Sequence, residues 1–177
     1  MCDIIIGKMG ESLKYIEIQF TPDGTAFAAK DALNASPTEL KNVFESENGY
    51  ARLLEFTVSQ ADTTALVKKG FTVHFFSSVP ASAAVAINAA EDISITDQPK
   101  WIGSVSVVSA DFVDTVFTVT KSTIAMKTAY DTPLPMLYNK STADGFKTSL
   151  WVKIVCDEIQ DYSGTEKITI KMVVKRV

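Results

Sequence analysis

Apolar and polar residues alternate along most of this chain, with the period of two that a strand with one buried face requires. In "YIEIQF", Ile16, Ile18 and Phe20 form one face and Tyr15, Glu17 and Gln19 the other. "RLLEFTVS" repeats the pattern with Leu54, Phe56 and Val58. "FTVHFF" sets Phe71, Val73 and Phe75 against Thr72, His74 and Phe76. "DTVFTVT" (114–120) is rich in β-branched and aromatic residues, which pack well on a pleated surface. "LWVKIVC" predicts a strand with Leu150, Val152, Ile154 and Cys156 inward. The clearest strand is "KITIKMVVK" (167–175), with Ile168, Ile170, Met172 and Val174 inward and Lys167, Thr169, Lys171 and Lys175 outward. It is expected inside a sheet rather than at a free edge.

Turn residues separate these runs: "TPDGT" (21–25), "ENGY" (47–50), "DTPLP" (131–135), "STADG" (141–145) and "YSGTE" (162–166). "DEIQDYSGTE" reads as a long hairpin connection between the last two strands, with Gly164 free to supply a positive φ. Helix signals are few. "SPTELKNVF" (36–44) has Ser36 as N-cap, Pro37 at the first helical position and Glu39 completing a capping box, so it predicts about two helical turns with Leu40, Val43 and Phe44 inward. "ASAAVAINAAEDI" (81–93) suits a second short helix or a loop crossing the end of a sandwich. Short strands at regular spacing predict an all-β chain: an antiparallel β-sandwich or jelly-roll-like single domain over residues 15–177, with one or two short helical turns. Residues 1–14 precede it as an N-terminal arm or edge strand.

Length and composition fit that reading. The chain has 177 residues, enough to bury a core without metal or disulfide support. Its net charge of -4 and the lack of a Lys/Arg run argue against nucleic-acid binding, which needs a concentrated basic surface. The cluster from Lys171 to Arg176 is interrupted by Met172, Val173 and Val174 and reads as a solvated strand face. Cys2 and Cys156 define neither a disulfide framework nor a zinc site and are expected as free thiols in a reducing compartment. "MCDIIIGKMGESLK" lacks the pattern of a secretory signal, and "AAVAINAA" (83–90) falls well short of the roughly 20 apolar residues a membrane helix needs.

Candidate chemistry is sparse. His74 is the single histidine, set mid-strand without a "GxSxG" elbow or cysteine signature, and it is read as structural. With no second histidine, a transition-metal site is not expected. Asp157, Glu158 and Asp161, with Glu91 and Asp92, are the carboxylates available for acid/base work. Adjacent Asp157 and Glu158 point to opposite sides of a strand end and make no natural pair, so the group reads as hydrated loop acids. No glycine-rich phosphate loop occurs. Phe75, Phe76, Trp101 and Trp151 suit either a sugar-stacking platform or, more commonly, a sandwich core. No catalytic residue, metal or cofactor is expected. The sequons at Asn34 and Asn139 are idle without secretion.

The stretch "FTVHFFSSVPASAAVAINAAEDISITDQPKWIGSVSV" joins a strand ending in an aromatic and a small polar residue (Phe75 to Ser78) to Pro80. An alanine/asparagine-rich loop (Asn88 to Asp92), an acidic turn at Asp97 and the aliphatic–glycine pair Ile102–Gly103 follow. "TPLPMLYNKSTADGFKTSLWVKIVCDEIQDYSGTEKITIKMVV", "AFAAKDALNAS" and "GYARLLEFTVSQAD" extend the pattern over residues 15 to 175. It resembles the small virion structural proteins, of capsid auxiliary or decoration type, of tailed bacteriophages, crAss-like phages included. It departs at Ala51, where that family has glycine, and at Trp151, where it has tyrosine.

The resemblance implies a non-enzymatic auxiliary or decoration protein on the capsid shell, assembled in the host cytoplasm. Its partners would be the major capsid protein and other copies of itself, with no nucleic acid, membrane or small-molecule substrate. The aliphatic triplet Ile4, Ile5 and Ile6 would be an aggregation liability if bare and is the expected capsid or subunit contact, or else an added edge strand. The alternative is a head-fibre or tail-associated β-sandwich that binds host surface glycans. Loop aromatics would mark it, and Tyr50, Tyr130, Tyr138 and Tyr162 are the ones present.

Overall fold

The strand at Lys167–Arg176 organises the molecule because its alternation leaves one face entirely apolar: Ile168, Ile170, Met172 and Val174 are all fully buried. The structure, a computed structural model, describes residues 3–8, 13–22, 24–34, 36–46, 48–62, 68–80, 93–116, 121–129, 133–140, 147–162 and 164–177. For 3–8, 62, 115–116 and 121–123 only the backbone is described. The strands are β1 (Asp3–Lys8), β2 (Leu13–Phe20), β3 (Ala26–Phe27), β4 (Thr38–Leu40), β5 (Tyr50–Asp62), β6 (Phe71–Phe76) and β7 (Trp101–Val107). They continue as β8 (Val113–Val116), β9 (Lys121–Thr128), β10 (Met136–Tyr138), β11 (Leu150–Cys156), β12 (Gln160–Asp161) and β13 (Lys167–Arg176). Among the described residues the helical content is a 3-10 turn at Ser109–Asp111.

Two antiparallel sheets face each other across one core. The seven-stranded sheet runs β1-β2-β13-β5-β9-β8, with β10 paired to the start of β5, and the four-stranded sheet runs β4-β11-β6-β7. A two-residue ribbon, β12 with β3, closes one end, where the Phe27 and Tyr162 rings meet edge to face at 5.8 Å. Inward residues of both sheets form one cluster, including Ile16, Phe56, Val58 and Met172 from one side and Val73, Phe75, Val152 and Ile154 from the other. This is the all-β, antiparallel arrangement expected, and β13 lies inside its sheet between β2 and β5.

Three local expectations differ. Residues 36–44 do not form a helix. Thr38–Leu40 is a strand paired with β11, Leu40 opposite Leu150. The Asn34 side chain donates to the Thr38 hydroxyl (3.2 Å) and the Val152 carbonyl (3.3 Å), and accepts from the Ile154 amide (2.8 Å), which pulls the segment against β11. Glu39, instead of capping a helix, accepts from the Ser149 hydroxyl at 2.7 Å. Leu40, Val43 and Phe44 are buried as expected, through a turn at Asn42 with φ 54°. A short isolated helix is costly to nucleate, and the paired edge of a buried strand outweighs it.

In β5 it is Leu53, not Leu54, that is buried with Phe56 and Val58. The register against β13 steps from Glu55–Val173 to Leu53–Val174, so Leu54 is the extra residue of a bulge that reverses the facing of the preceding residues. Finally, β11 and β13 belong to different sheets, so residues 157–166 carry the chain from one sheet to the other instead of closing a hairpin. Gly164 in that crossing has φ 77°, the conformation expected of it. Residues 81–92 and Cys2 lie outside the described residues.

Met172 sits opposite Ile16 on one side and Phe56 on the other, all fully buried. Met172→Asp places a carboxylate there without a partner, and the loss of stability should exceed about 4 kcal/mol, the range reserved for buried charges. Chemical denaturation measures it, and an unchanged midpoint would contradict this packing.

Candidate functional site

The four-stranded sheet turns one face to the core and the other outward, and the outward face carries the polar residues. By register, His74 on β6 stands between Ser104 on β7 and Lys153 on β11, and Thr72 stands between Ser106 and Val155. Much of this face is withdrawn from water. Thr72, Phe76, Trp151, Lys153 and Val155 are buried, His74 is partly buried, and Ser106 and Asp157 are open. His74 is therefore part of a covered polar face and not of an open strand surface.

A hollow of about 420 Å³ lies here, lined by Lys30, Thr72, His74, Ile93, Val155, Cys156 and Asp157. Its floor holds a directed hydrogen-bond chain. Thr72 donates to the Asp157 carboxylate (2.8 and 2.9 Å to the two oxygens), so the Ser106 hydroxyl, 2.7 Å away, donates to Thr72. Although the residue as a whole is open, partial burial of its carboxylate against the hollow raises the Asp157 pKa; the Thr72 bond opposes that shift and the Glu158 charge adds to it. Glu158 itself turns elsewhere, accepting from the Ser109 hydroxyl (2.6 Å) and the Gly70 amide (3.0 Å). Those bonds, with Lys69 beside it, hold its carboxyl below the ordinary range. The two adjacent carboxylates thus have separate partners.

Lys30 enters the hollow by an uncommon backbone route. Its φ is 74°, a left-handed conformation that costs a side-chain-bearing residue roughly 1–2 kcal/mol. The Lys30 amide bonds the Cys156 carbonyl (2.7 Å), the Cys156 amide bonds the Asp31 carbonyl (2.9 Å), and the Asp31 carboxylate accepts from the Ala28 amide (2.6 Å). Cys156 is free and buried, and burial, then the Asp31 and Asp157 charges, push its thiol up to about 12. It stays protonated at neutral pH and is a poor nucleophile.

Trp101 borders the same face. β6 and β7 slip register between Phe75–Gly103 and Phe76–Trp101, leaving Ile102 as a bulge residue and bringing Trp101 onto the His74 side. The two rings lie 6.4 Å apart and Trp101 is 39% exposed. Gly103 makes this bulge possible. Its φ is 156°, and a Cβ there would approach the Pro135 side chain at 3.1 Å. The Ile102–Gly103 pair noted in the sequence is thus the bulge that aims Trp101.

Of the other aromatics, Phe75, Phe76 and Trp151 are buried, as is Tyr162, whose hydroxyl donates to Gln160. Tyr50 and Tyr138 face each other across β5 and β10 at 6.1 Å, and Tyr130 lies outside the described residues. Glu91 and Asp92 also lie outside them. Among the described residues no group of three or more His, Cys, Asp and Glu could hold a metal ion, and no helix is long and apolar enough to cross a membrane.

Ile4, Ile5 and Ile6 are on the other sheet. The backbone of β1 pairs with β2, Ile4 opposite Ile18 and Ile6 opposite Ile16, and is the last of the described strands on that side of the sheet. Sequence reasoning missed Thr72, Ser106, Lys30 and Lys153. Only Lys153, a cation inside the apolar run "LWVKIVC", left a visible signal.

No family model matches the chain, and no curated protein matches it. Among solved structures, a chain of Triatoma virus aligns with 90% of this chain at 10% identity and a TM-score of 0.27. This chain spans 62% of the length of that one.

Burial lowers the His74 pKa, and its buried Nδ1 has no hydrogen-bond partner. The charged groups around it are Lys153 at its register position and Lys30 and Asp157 around the hollow. A base whose folded-state pKa is lowered contributes full stability above its unfolded value, near 6.5, and loses it as the pH falls below that value. His74 is the single histidine, so the decline in melting temperature between about pH 7 and pH 5 should flatten in His74→Gln. Asp157, whose raised pKa acts with the opposite sign, is common to both proteins and drops out of the comparison. Parallel pH profiles would show that His74 is not held neutral by burial.

Proposed function

We propose that this chain is a non-enzymatic structural protein of a phage virion, an auxiliary or decoration-type protein seated on the capsid shell. It would bind the major capsid protein and other copies of itself after assembly in the host cytoplasm. The resemblance over residues 15 to 175 supports this reading. The observation that carries it furthest is the seven-stranded sheet, which ends in β1 on one side and β8 on the other, neither with a further partner among the described strands. Open strand edges are templates for pairing with another chain, and proteins that stay monomeric usually blunt them. Beside β8, Val113 and Ile124 stand directly opposite each other and Met126 follows on the same face; they are 66%, 37% and 59% exposed. An edge strand flanked by apolar side chains suits repeated lateral contact, in which weak interfaces are multiplied by copy number. Ile4, Ile5 and Ile6 lie on the opposite edge strand and are the proposed shell or subunit contact.

Two measurements test this. Mass spectrometry of purified particles should detect the protein at multiple copies, and its absence would end the virion reading. A chain beginning at Glu11, which lacks β1, should fold and remain soluble but no longer decorate heads. Full occupancy by that shortened chain, or its failure to fold, would remove Ile4, Ile5 and Ile6 from the contact.

A further inference from the structure

We propose that the hollow on the outer face of the four-stranded sheet binds a neutral carbohydrate, one or two sugar rings, over the Thr72–Asp157 pair and His74, whose ring neighbours Trp101. Its volume of about 420 Å³ lies in the range of small-molecule sites. Its polar groups suit a ligand rich in hydroxyls. Among the described lining residues the Asp157 carboxylate accepts, the Lys30 ammonium can donate, and the Thr72 hydroxyl, which donates to Asp157 and accepts from Ser106, keeps one further acceptor site. A vicinal diol offers donors and acceptors together and can engage both charges at once. The charge balance points the same way. Among the described lining residues Lys30 and Asp157 carry opposite charges, so neither a cation nor an anion such as phosphate is selected.

The apolar part of a sugar is the C–H face of its ring, which packs on aromatic surfaces. Trp101 provides one at the border of this face, still partly open to solvent. Two departures from regular backbone converge here. The bulge at Ile102 turns Trp101 to this side, and Lys30, in a left-handed conformation, lines the hollow. Strain and bulges of this kind recur where a fold aims side chains at a ligand. Neutral His74 adds a wall without adding charge. The site is on the opposite sheet from the proposed shell contacts, so it stands apart from the virion reading, and either can fail without the other.

The test uses the full chain titrated with glucose, galactose and N-acetylglucosamine, and separately with sodium phosphate, while the Trp indole N–H resonances are followed by NMR. There are two such resonances, from Trp101 and buried Trp151, and the Trp101→Phe spectrum assigns them. At least one sugar should shift the Trp101 resonance saturably, with a Kd of about 1–10 mM. Asp157→Asn, a change of little volume at an open position, and Trp101→Ala should each weaken binding at least tenfold, read by ligand-observed NMR. Val113→Ser on the other sheet should leave binding unchanged. Asp157→Asn carries the test if Trp101→Ala does not fold. Absence of a saturable shift with all three sugars, a response to phosphate alone, or sugar affinity indifferent to Asp157→Asn would each overturn the proposal.

Discussion

Every residue from Leu150 to Cys156 is withdrawn from water, including Lys153 at 1% exposure. A strand buried on both faces leaves its backbone groups no water to bond, so both of its edges must be partnered by protein. On one side β6 pairs with it along six residues, from Trp151 to Cys156. On the other side β4 covers only Leu150, Trp151 and Val152. The rest of that edge is completed by a segment that is not a regular strand. Asn34 bonds the Ile154 amide, the Leu33 amide bonds the Ile154 carbonyl, Ala32 forms a bridge with Val155, and Lys30 and Asp31 serve Cys156. This requirement bends residues 30–34 around β11, holds Lys30 at positive φ and diverts residues 36–44 from helix to strand.

The same economy explains the two bulges. A 13-residue strand such as β5 must keep apolar groups inward along its whole length while joining β13, β9 and β10. Its sequence places Leu53 and Phe56 three residues apart, which no regular strand can bury on one face. The bulge at Leu54 absorbs the odd residue. In β7 the bulge at Ile102 has the opposite effect, turning a large aromatic outward, and Gly103 packed against Pro135 marks where the backbone allows it. One irregularity serves the core and the other the surface.

The outer face of the four-stranded sheet and the edges of the seven-stranded sheet divide the molecule's surface into two kinds of chemistry. The first is a hollow lined, among the described residues, by Thr72, His74, Lys30 and Asp157 and resting on a buried strand. The second is paired backbone ending, among the described strands, in β1 and β8, with apolar side chains beside β8. The two surfaces lie on different sheets, so the proposed lateral contact and the proposed ligand site do not compete for the same residues.

Alternation was legible because a strand's side chains follow its backbone with a period of two. Ile16, Ile18, Phe71, Val73, Phe75, Ile168, Ile170, Met172 and Val174 are buried as their spacing implied, and the all-β antiparallel class followed from them. The turns with Gly164 and Asn48 were legible for the same local reason, since both take positive φ. Local signals failed where a distant strand outweighed them. The capping pattern at Ser36 lost to the edge of β11, and Leu54 lost its inward place to a register set by β13. The site lay further from view. Thr72, Ser106, Asp157, Lys30 and Trp101 come from four separate stretches of chain, and only strand register, one bulge and one strained turn bring them together. Sequence spacing specifies which residues share a face of one strand; which strands lie side by side is decided by burying the core and partnering every backbone group within it.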